Sequence, residues 1–341
     1  MKNYLKLVEI NENSITPKYV QVINSILRGV ESGKIVKNDI LPSVYDFSIA
    51  LETSRNTIER AYKELKKLNV VNSVTGKGYF ISDTNFNQPI KVLLLFNKLS
   101  SHKKIIYDAF AATLGNNAAI DFYIYNNDFG FFKKLVLEKI DSYSKFVVIP
   151  HFIDYPDSDY TVINTIPKEK LILMDKIDSG VTGDFGAVYE DFENDIYGAL
   201  KQLLDKLSKY QTIKILFPEQ SYYSKGILTG FLNFCSQYTF DYEVLPSLVN
   251  ETIKPGTVYI NLMEDHLVEL LEKIMLDGLS VGTDVGVISY NETPLKKILL
   301  NGITTISTDF KMMGEKAAEM VLTNSTQHIA IPFGVTMRNS L

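Results

Sequence analysis

The sequence predicts an α/β protein in two parts, a small winged helix-turn-helix followed by a larger domain built from two parallel-sheet α/β lobes. Helical patterns followed by a hairpin pattern fill residues 1–84. After a polar linker at 85–90, apolar strand patterns alternate with amphipathic helical patterns through 91–341, which is typical of parallel sheets covered by helices. Some ten strands exceed one comfortable sheet, so we expect two lobes.

The composition is that of an ordinary globular protein. The chain has 341 residues, of which 45% are hydrophobic and 22% are charged. The single cysteine, Cys235, excludes an intramolecular disulfide, and the four histidines are too scattered for a zinc site, so we expect neither a metal nor a cofactor. No stretch has the apolar length of a signal peptide or a membrane span, so we expect a cytoplasmic protein without membrane contact.

The charge is divided unevenly along the chain. The net charge is -5, yet residues 1–84 carry a net +3 and the remainder carries -8. A basic N-terminal domain joined to an acidic body suits a DNA-binding module attached to a domain with another task.

Three helices are predicted in the first domain, over 19–30, 44–51 and 55–68. Ser43 and Ser54 stand where N-caps of the second and third helices belong. A tight turn separates these two helices, and the third presents Arg55, Asn56 and Arg60 on its polar face. Such a helix can place its side chains against base edges and phosphates in the major groove.

A β-hairpin follows the third helix. The strand patterns over 70–74 and 79–81 flank the turn Thr-Gly-Lys-Gly, whose tip carries Lys77. Three helices followed by such a hairpin make a winged helix, in which the hairpin is the wing. We therefore expect this domain to bind double-stranded DNA.

The segment LPSVYDFSIALETSRNTIERAYKELKKLNVVNSVTGKGYFIS resembles the DNA-binding domain of the GntR family, and the resemblance covers roughly residues 15–82. It implies phosphate or base contacts by Ser43, Arg55, Asn56 and Thr57, and a minor-groove or backbone contact by Lys77. Tyr45 stands where the family commonly has Arg. A tyrosine can still donate to a phosphate, but the bidentate guanine contact is lost, so operator rules of the family do not transfer.

The body contains a regular succession of predicted elements. Its strands are predicted over 92–96, 122–125, 146–149, 171–174, 213–217, 240–245, 257–261, 285–289 and 303–307. Its helices are predicted over 103–114, 131–141, 192–208, 222–236, 264–277, 294–300 and 310–323. In such sheets ligands bind beyond the carboxyl ends of the strands.

Polar and aromatic residues gather at those strand ends. Asn97, His151, Asp175 and Asn291 follow predicted strands, and Phe152, Tyr223 and Phe310 are aromatic candidates nearby. Hydroxyl groups need paired donors and acceptors, and sugar rings stack on aromatic faces, so this set suits a sugar. Glu190, next to Asp191, is expected either to line the cleft or to begin the helix at 192.

The segment GVISYNETPLKKILLNGITTISTDFKMMGEKAAEMV resembles the LacI/GalR-type regulators, which have the type I periplasmic-binding-protein fold. The resemblance covers about 91–341 and is most specific over 285–322. It implies that Asn291 replaces the family's sugar-binding Asp, that Asp175 is a polar cleft position, and that Thr308 and Phe310 lie at the cleft. Ile227 replaces a family Arg, and Lys225 is a substitute for it.

The expected function is that of a DNA-binding transcription regulator, a repressor of carbohydrate utilisation controlled by a monosaccharide. The expected partners are operator DNA, the effector and a second copy of the chain in a homodimer. A regulator sensing a non-sugar metabolite is the alternative. An enzyme is a remote one, because no phosphate-binding Gly-rich loop, Gly-x-Ser-x-Gly elbow or metal-spaced His/Asp set occurs in the sequence.

Overall fold

The structure is a computed structural model that describes residues 8, 10–12, 16–76, 78–84, 90–153, 160–218 and 223–341. The chain divides into two compact units. The first comprises Met1–Ile90 with Glu138–Tyr143, and the second comprises Lys91–Leu137 with Ser144–Leu341. Of the predicted linker, residues 85–89 lie outside the described residues.

The first unit is a three-helix domain closed by a hairpin. Its elements are α1 (Lys18–Glu31), α2 (Val44–Ala50), α3 (Arg55–Lys67), β1 (Val71–Val74) and β2 (Gly78–Ile81). The two strands pair antiparallel, with Val71 opposite Ile81. The apolar faces of the helices bury Ile26, Phe47 and Ile58 in one core, which leaves the polar face of α3 to solvent. The winged helix-turn-helix expected from the sequence is confirmed.

The second unit contains two six-stranded sheets, each belonging to one lobe. The first sheet has the order β13-β7-β6-β5-β3-β4, with parallel pairing from β13 through β3. Its strands are β3 (Ile90–Phe96), β4 (Ala118–Ile124), β5 (Lys145–Val148), β6 (Leu171–Asp175), β7 (Gly186–Tyr189) and β13 (His328–Ala330). Its helices are α4 (Ser101–Leu114), α5 (Phe129–Lys139), α6 (Thr161–Thr165) and α11 (Phe310–Thr323).

The second sheet has the order β14-β12-β11-β10-β8-β9. Its strands are β8 (Thr212–Leu216), β9 (Asp241–Leu245), β10 (Thr257–Asn261), β11 (Val285–Tyr290), β12 (Thr304–Thr308) and β14 (Phe333–Thr336). Its helices are α7 (Phe192–Gln202), α8 (Leu204–Leu207), α9 (Lys225–Tyr238) and α10 (Glu264–Leu276). All pairs are parallel except that β14 runs antiparallel to β12. Among the helices that the structure describes, none is long and apolar enough to span a membrane.

The chain passes between the two lobes three times. The passages lead from β7 to α7, from β12 to α11, and from β13 to β14. Because β7 and β12 both leave their sheets at the carboxyl end, the residues after these strands lie at the junction of the lobes. The two-lobed α/β architecture predicted from the sequence is confirmed, and this junction holds the carboxyl ends of β7 and β12, where parallel sheets commonly bind ligands.

Three strands are absent from the sequence prediction, namely β7, β13 and β14. Each has only three or four residues, too few for a clear apolar run. In β7 the first residue is Gly186, where an added Cβ would lie 2.8 Å from the carbonyl oxygen of Ser325. The glycine that weakens the strand pattern is therefore what lets another backbone segment approach the sheet.

Two helix predictions differ from the structure. The helix predicted over 294–300 is wrong, because the chain forms two 3₁₀ turns, Pro294–Lys297 and Leu299–Asn301. Leu300 has a φ of 46° and Gly302 a φ of 106°, neither of which fits an α-helix. The helix predicted over 192–208 is divided into α7 and α8 at Leu203.

Candidate functional sites

Two serines cap the exposed helices of the first unit. Ser43 Oγ accepts a hydrogen bond from the amide of Asp46 at 3.1 Å, and Ser54 Oγ accepts one from the amide of Thr57 at 3.1 Å. The hydroxyls of Ser54 and Thr57 also hydrogen-bond to each other at 2.8 Å. These caps fix the N-terminal end of α3, where free N–H groups and the helix dipole favour a phosphate.

The polar face of α3 carries two arginines that lie over tyrosine rings of the neighbouring helices. The guanidinium carbon of Arg55 lies 4.6 Å from the ring centroid of Tyr45 on α2. That of Arg60 lies 3.8 Å from the ring centroid of Tyr19 on α1. Both arginines are exposed, on the side of the domain where α3 is uncovered.

An open groove runs beside α3. It is lined by Pro17, Lys18, Tyr19, Asn56, Thr57 and Arg60. The structure therefore brings three predicted residues, Asn56, Thr57 and Arg60, to one surface, and it pairs Tyr45 with Arg55. The predicted wing residue Lys77 lies outside the described residues. A groove with lysine, arginine and amide groups is chemically suited to phosphate oxygens and base edges.

The second unit contains a buried charged cluster at the end of β6. Asp175 ends this strand with a φ of 74°, a value that non-glycine residues seldom adopt. Its Oδ2 accepts a hydrogen bond from Lys103 Nζ at 2.5 Å, and His151 Nε2 lies 3.3 Å from the same oxygen. Burial alone would raise the pKa of Asp175, but Lys103 and His151 hold that pKa well below its usual range. Asp175 is therefore ionised.

Glu190 brings a second carboxyl group to this cluster. Burial and the negative charge of Asp175 raise the pKa of Glu190 well above its usual value, a rise that the nearby Thr308 hydroxyl opposes. Burial also raises the pKa of Tyr290, and the charges of Glu190 and Asp195 add to that rise. Since Glu190 follows β7 and Tyr290 ends β11, groups from both sheets share one buried region. These shifts favour the protonated forms of Glu190 and Tyr290, which can donate hydrogen bonds.

Several buried polar atoms near the strand ends have no hydrogen-bond partner among the described residues. They include Asn97 Oδ1, both side-chain polar atoms of Asn261, the Tyr290 hydroxyl and Asn291 Oδ1. Asn97 still donates to Asn127 Oδ1 at 2.7 Å. Asn97 follows β3, Asn261 ends β10 and Asn291 follows β11 with a φ of 67°. Because buried polar groups are rarely left unsatisfied, these atoms are suited to hydrogen bonds with a small molecule.

The aromatic candidates lie in three different settings. Phe310 begins α11, is buried, and stacks on His102 with ring centroids 4.8 Å apart. Burial and the charge of Lys103 lower the pKa of His102 to about 3, so this imidazole is neutral. The Tyr223 hydroxyl donates to the carbonyl of Leu262 at 3.0 Å. Phe152 packs on Tyr125 with centroids 5.4 Å apart.

The structure brings four of the sequence-predicted ligand residues together, namely Asp175, His151, Glu190 and Thr308. Asn97, Asn291, Tyr223 and Phe310 lie at the ends of neighbouring elements, as described above. Lys225, the remaining candidate, is exposed on the first turn of α9.

The sequence prediction missed Lys103, Tyr290, Asn261 and Asp195. The sequence contains one sign that Lys103 is buried. Lys103 shares the buried face of α4 with Ile106, Phe110 and Leu114 at helical spacing. A lysine in an apolar register needs a buried partner, which here is Asp175.

Comparison with known families matches a part of each unit. Residues 18–81 match the family of bacterial regulatory proteins called gntR, and residues 207–340 match the periplasmic binding protein-like domain. The chain carries a GntR-type DNA-binding domain followed by a periplasmic-binding-protein-like domain. The second match includes Asn291, Thr308 and Phe310, whereas Asp175 and Glu190 precede it.

Relatives of each domain are known. The GntR-type domain is similar to the transcriptional repressor YtrA of Bacillus subtilis, with 31% identity over 77 residues, which is 23% of this chain. The chain spans 59% of the length of that relative. The periplasmic-binding-protein-like domain resembles the trehalose repressor from Escherichia coli, with a TM-score of 0.62, 16% identity, and coverage of 73% of this chain and 100% of that one.

A second solved structure has the same fold as the periplasmic-binding-protein-like domain. It is the Lac repressor dimer bound to operator and the anti-inducer ONPF, with a TM-score of 0.59, 16% identity, and coverage of 74% of this chain and 94% of that one. Similarity at this level establishes the two-lobed fold of the second domain.

Proposed function

We propose that this protein is a sequence-specific DNA-binding transcription regulator, a repressor of carbohydrate utilisation, whose DNA affinity is set by a small sugar in the cleft between the lobes. The observation that carries the proposal is the pairing, in one chain, of a GntR-type domain with a two-lobed domain whose buried polar atoms gather at strand ends. In this proposal the GntR-type domain binds DNA, and the two-lobed domain binds the ligand.

The chemistry of the cleft favours a neutral, hydroxylated ligand. Asn261 and Asn291 offer amide groups, Glu190 offers a protonated carboxyl, and Tyr290 offers a hydroxyl. This mixture of hydrogen-bond donors and acceptors suits sugar hydroxyls, because each hydroxyl both donates and accepts a hydrogen bond.

Both buried lysines near the cleft are already engaged by the protein. Lys103 is paired with Asp175 at 2.5 Å, and Lys296 Nζ donates to the carbonyls of Tyr290 and Asn291 at 3.1 and 2.7 Å. A phosphorylated or carboxylated ligand would therefore meet no free cation from these two residues.

Control of DNA binding requires the ligand to prefer one arrangement of the lobes. Three chain passages join the lobes, and a ligand that contacts residues of both sheets stabilises the closed arrangement more than the open one. A difference of ~3 kcal/mol between the two arrangements changes DNA occupancy by roughly a hundredfold.

Two exposed apolar side chains on the second lobe support a homodimer, which would place two GntR-type domains on a two-fold symmetric DNA site. Leu276 at the end of α10 is 85% exposed, and Ile298 between the two 3₁₀ turns is 76% exposed. Leu279 and Leu299, their neighbours in sequence, pack on the same core cluster. Sedimentation equilibrium at DNA-binding concentrations tests this, and a monomer would contradict it.

The proposed function is tested by a gel-shift titration with DNA from upstream of the gene, combined with a thermal-shift screen of pentoses, hexoses and deoxyhexoses. We expect a specific shifted band and at least one sugar that raises the thermal midpoint, because ligand at 100 times its Kd adds ~2.7 kcal/mol. Absence of a specific band at any sugar concentration would contradict the proposal. If a neutral non-sugar metabolite alone raised the midpoint, the alternative effector class would replace the sugar.

A further inference from the structure

The two tyrosine–arginine stacks of the GntR-type domain differ in what the tyrosine does for the fold. Tyr19 is half-buried and packs against the domain core, so it contributes to that core as well as to Arg60. Tyr45 is 52% exposed, and its position on α2 points its ring toward Arg55 of α3, 4.6 Å away. Tyr45 is thus an exposed aromatic side chain whose ring contacts the guanidinium group of Arg55.

A guanidinium stacked on a ring uses its face and leaves its edge free. The hydrogen-bond donors of Arg lie in the guanidinium plane, so a stacked Arg can still make two parallel hydrogen bonds to a guanine or a phosphate. Within the part of the chain that the structure describes, Arg55 forms no ion pair with a carboxylate. Its donors are therefore available on the face of α3 that the domain leaves uncovered.

We propose that Tyr45 is a positioning residue for DNA recognition, which holds the Arg55 guanidinium over its ring so that the edge of that group reads a base. The proposal rests on the DNA-binding function proposed above. Stacking limits the rotamers of a long side chain before binding, so less conformational entropy is lost when DNA is bound. Tyr45 then affects which DNA sequence is bound through its effect on Arg55, and it does not need to contact the DNA itself.

A competing role for Tyr45 is direct donation from its hydroxyl to a phosphate, and substitutions separate the two roles. Tyr45→Phe keeps the ring and removes the hydroxyl, whereas Tyr45→Leu removes the ring. Ile49→Ala, also on α2 and 58% exposed, is the matched control for effects on the helix. Thermal unfolding of each full-length variant verifies that the domain remains folded.

The experiment begins with a duplex recovered from a random-sequence library by repeated selection on the full-length protein. Fluorescence anisotropy then measures the affinity of each variant for that duplex and for a scrambled duplex. We expect Tyr45→Phe and Ile49→Ala to lie within twofold of the unmodified protein on both duplexes. Tyr45→Leu should weaken binding to the selected duplex three- to tenfold while it leaves the scrambled duplex nearly unchanged.

A double-mutant cycle decides whether the effect passes through Arg55. We expect Tyr45→Leu to cause no further loss in an Arg55→Ala background, because the residue that it positions is absent. Additive losses, or a Tyr45→Phe variant as weak as Tyr45→Leu, would overturn the proposal. If the unmodified protein enriches no sequence, the DNA-binding function fails instead. If it enriches a sequence on which Tyr45→Leu has no effect, only the role of Tyr45 fails.

Discussion

At the residue scale, the buried pair of Lys103 and Asp175 has the largest local consequence. Lys103 is 2% exposed in its side chain and Asp175 is 10% exposed, and the two lie 2.5 Å apart. Two charges without water are tolerated when each compensates the other, and each becomes costly when its partner is removed. The pair also holds Asp175 at the strand end where the ligand cleft is proposed.

Replacement of Lys103 by methionine should destabilise the protein by ~3–5 kcal/mol, because it leaves the Asp175 carboxylate buried without its strongest partner. Urea unfolding of the full chain measures this. The matched control is Lys104→Met, because Lys104 is the next residue of α4, is 72% exposed and pairs with Asp108 on the surface. We expect the control to change the free energy of unfolding by less than ~0.5 kcal/mol. Equal effects of the two substitutions would contradict the account of this pair.

The pH dependence of stability should report on Asp195, whose pKa burial and the charge of Asp191 raise from 3.8 to about 7. The folded state then binds this proton more tightly than the unfolded state does. The stabilisation that comes from this tighter proton binding is fully present below about pH 4, and it is lost as the pH rises to about 7.

The asparagine side chain of the Asp195→Asn variant cannot ionise, so the variant should not lose this stability as the pH rises. The difference in thermal midpoint, variant minus unmodified protein, should increase from pH 4 to pH 7 and stay constant above that range. Asp205→Asn, an exposed position on α8, is the control and should show no such trend. A difference that does not change with pH for Asp195→Asn would contradict the raised pKa.

The sequence predicts part of the candidate ligand site and misses the rest for a physical reason. Asp175, His151 and Asn291 were predicted because each follows an apolar strand, where parallel sheets bind ligands. Lys103 comes from a helix, so only the three-dimensional packing of α4 on the sheet brings it to Asp175. Asn261 lies inside the strand predicted over 257–261, so the search for polar residues after strands does not reach it. Tyr290 ends β11 one residue beyond the predicted strand, and its ring resembles the apolar residues before it.

At the element scale, helices α4 and α11 pack closely enough to require a glycine. A Cβ added at Gly314 would lie 2.4 Å from the carbonyl oxygen of Ile106 and 3.0 Å from the Cβ of Ala109. The first of these neighbours is backbone, so relief requires the helices to move apart. Since α11 follows the passage from β12, such a shift would also move Phe310 and the stacked His102.

Gly314→Ala should therefore destabilise the protein by ~1–3 kcal/mol, as overpacking does in a close-packed core. The control is Gly198→Ala in α7, where no atom lies within 4 Å of the added Cβ. That change should stabilise the protein by ~0.5–1 kcal/mol, because alanine favours a helix more than glycine. Chemical denaturation compares the two variants, and a Gly314→Ala variant as stable as the control would contradict the packing described.

The elements themselves were predicted wherever the apolar pattern was long. The first-domain helices and strands such as β10 followed from periodicity, whereas β7, β13 and β14 were too short to show it. The segment 294–300 has apolar residues at helical spacing, yet Leu295 and Ile298 are exposed and Leu300 has a positive φ. The apolar spacing of this segment does not reflect burial against the lobe, so it predicts an α-helix where the chain forms two 3₁₀ turns.

At the scale of the whole molecule, the two proposed activities should be separable by substitution. Arg55→Ala removes a DNA-contact candidate from an exposed face, and Asn291→Gly removes a cleft amide while it tolerates the φ of 67°. We expect the first to weaken DNA binding at least tenfold with unchanged sugar-dependent thermal shifts, and the second to do the reverse. Loss of both activities in either variant would contradict the separation of the sites.

The most direct test of the central claim is the affinity of the full-length protein for its selected duplex, measured by anisotropy with and without a saturating sugar that raises its thermal midpoint. The account predicts a change of at least tenfold in the Kd for DNA, and no such change in Asn291→Gly at the same sugar concentration. A sugar that binds the protein yet leaves the DNA affinity unchanged would contradict the account, because the cleft would then not control the GntR-type domain.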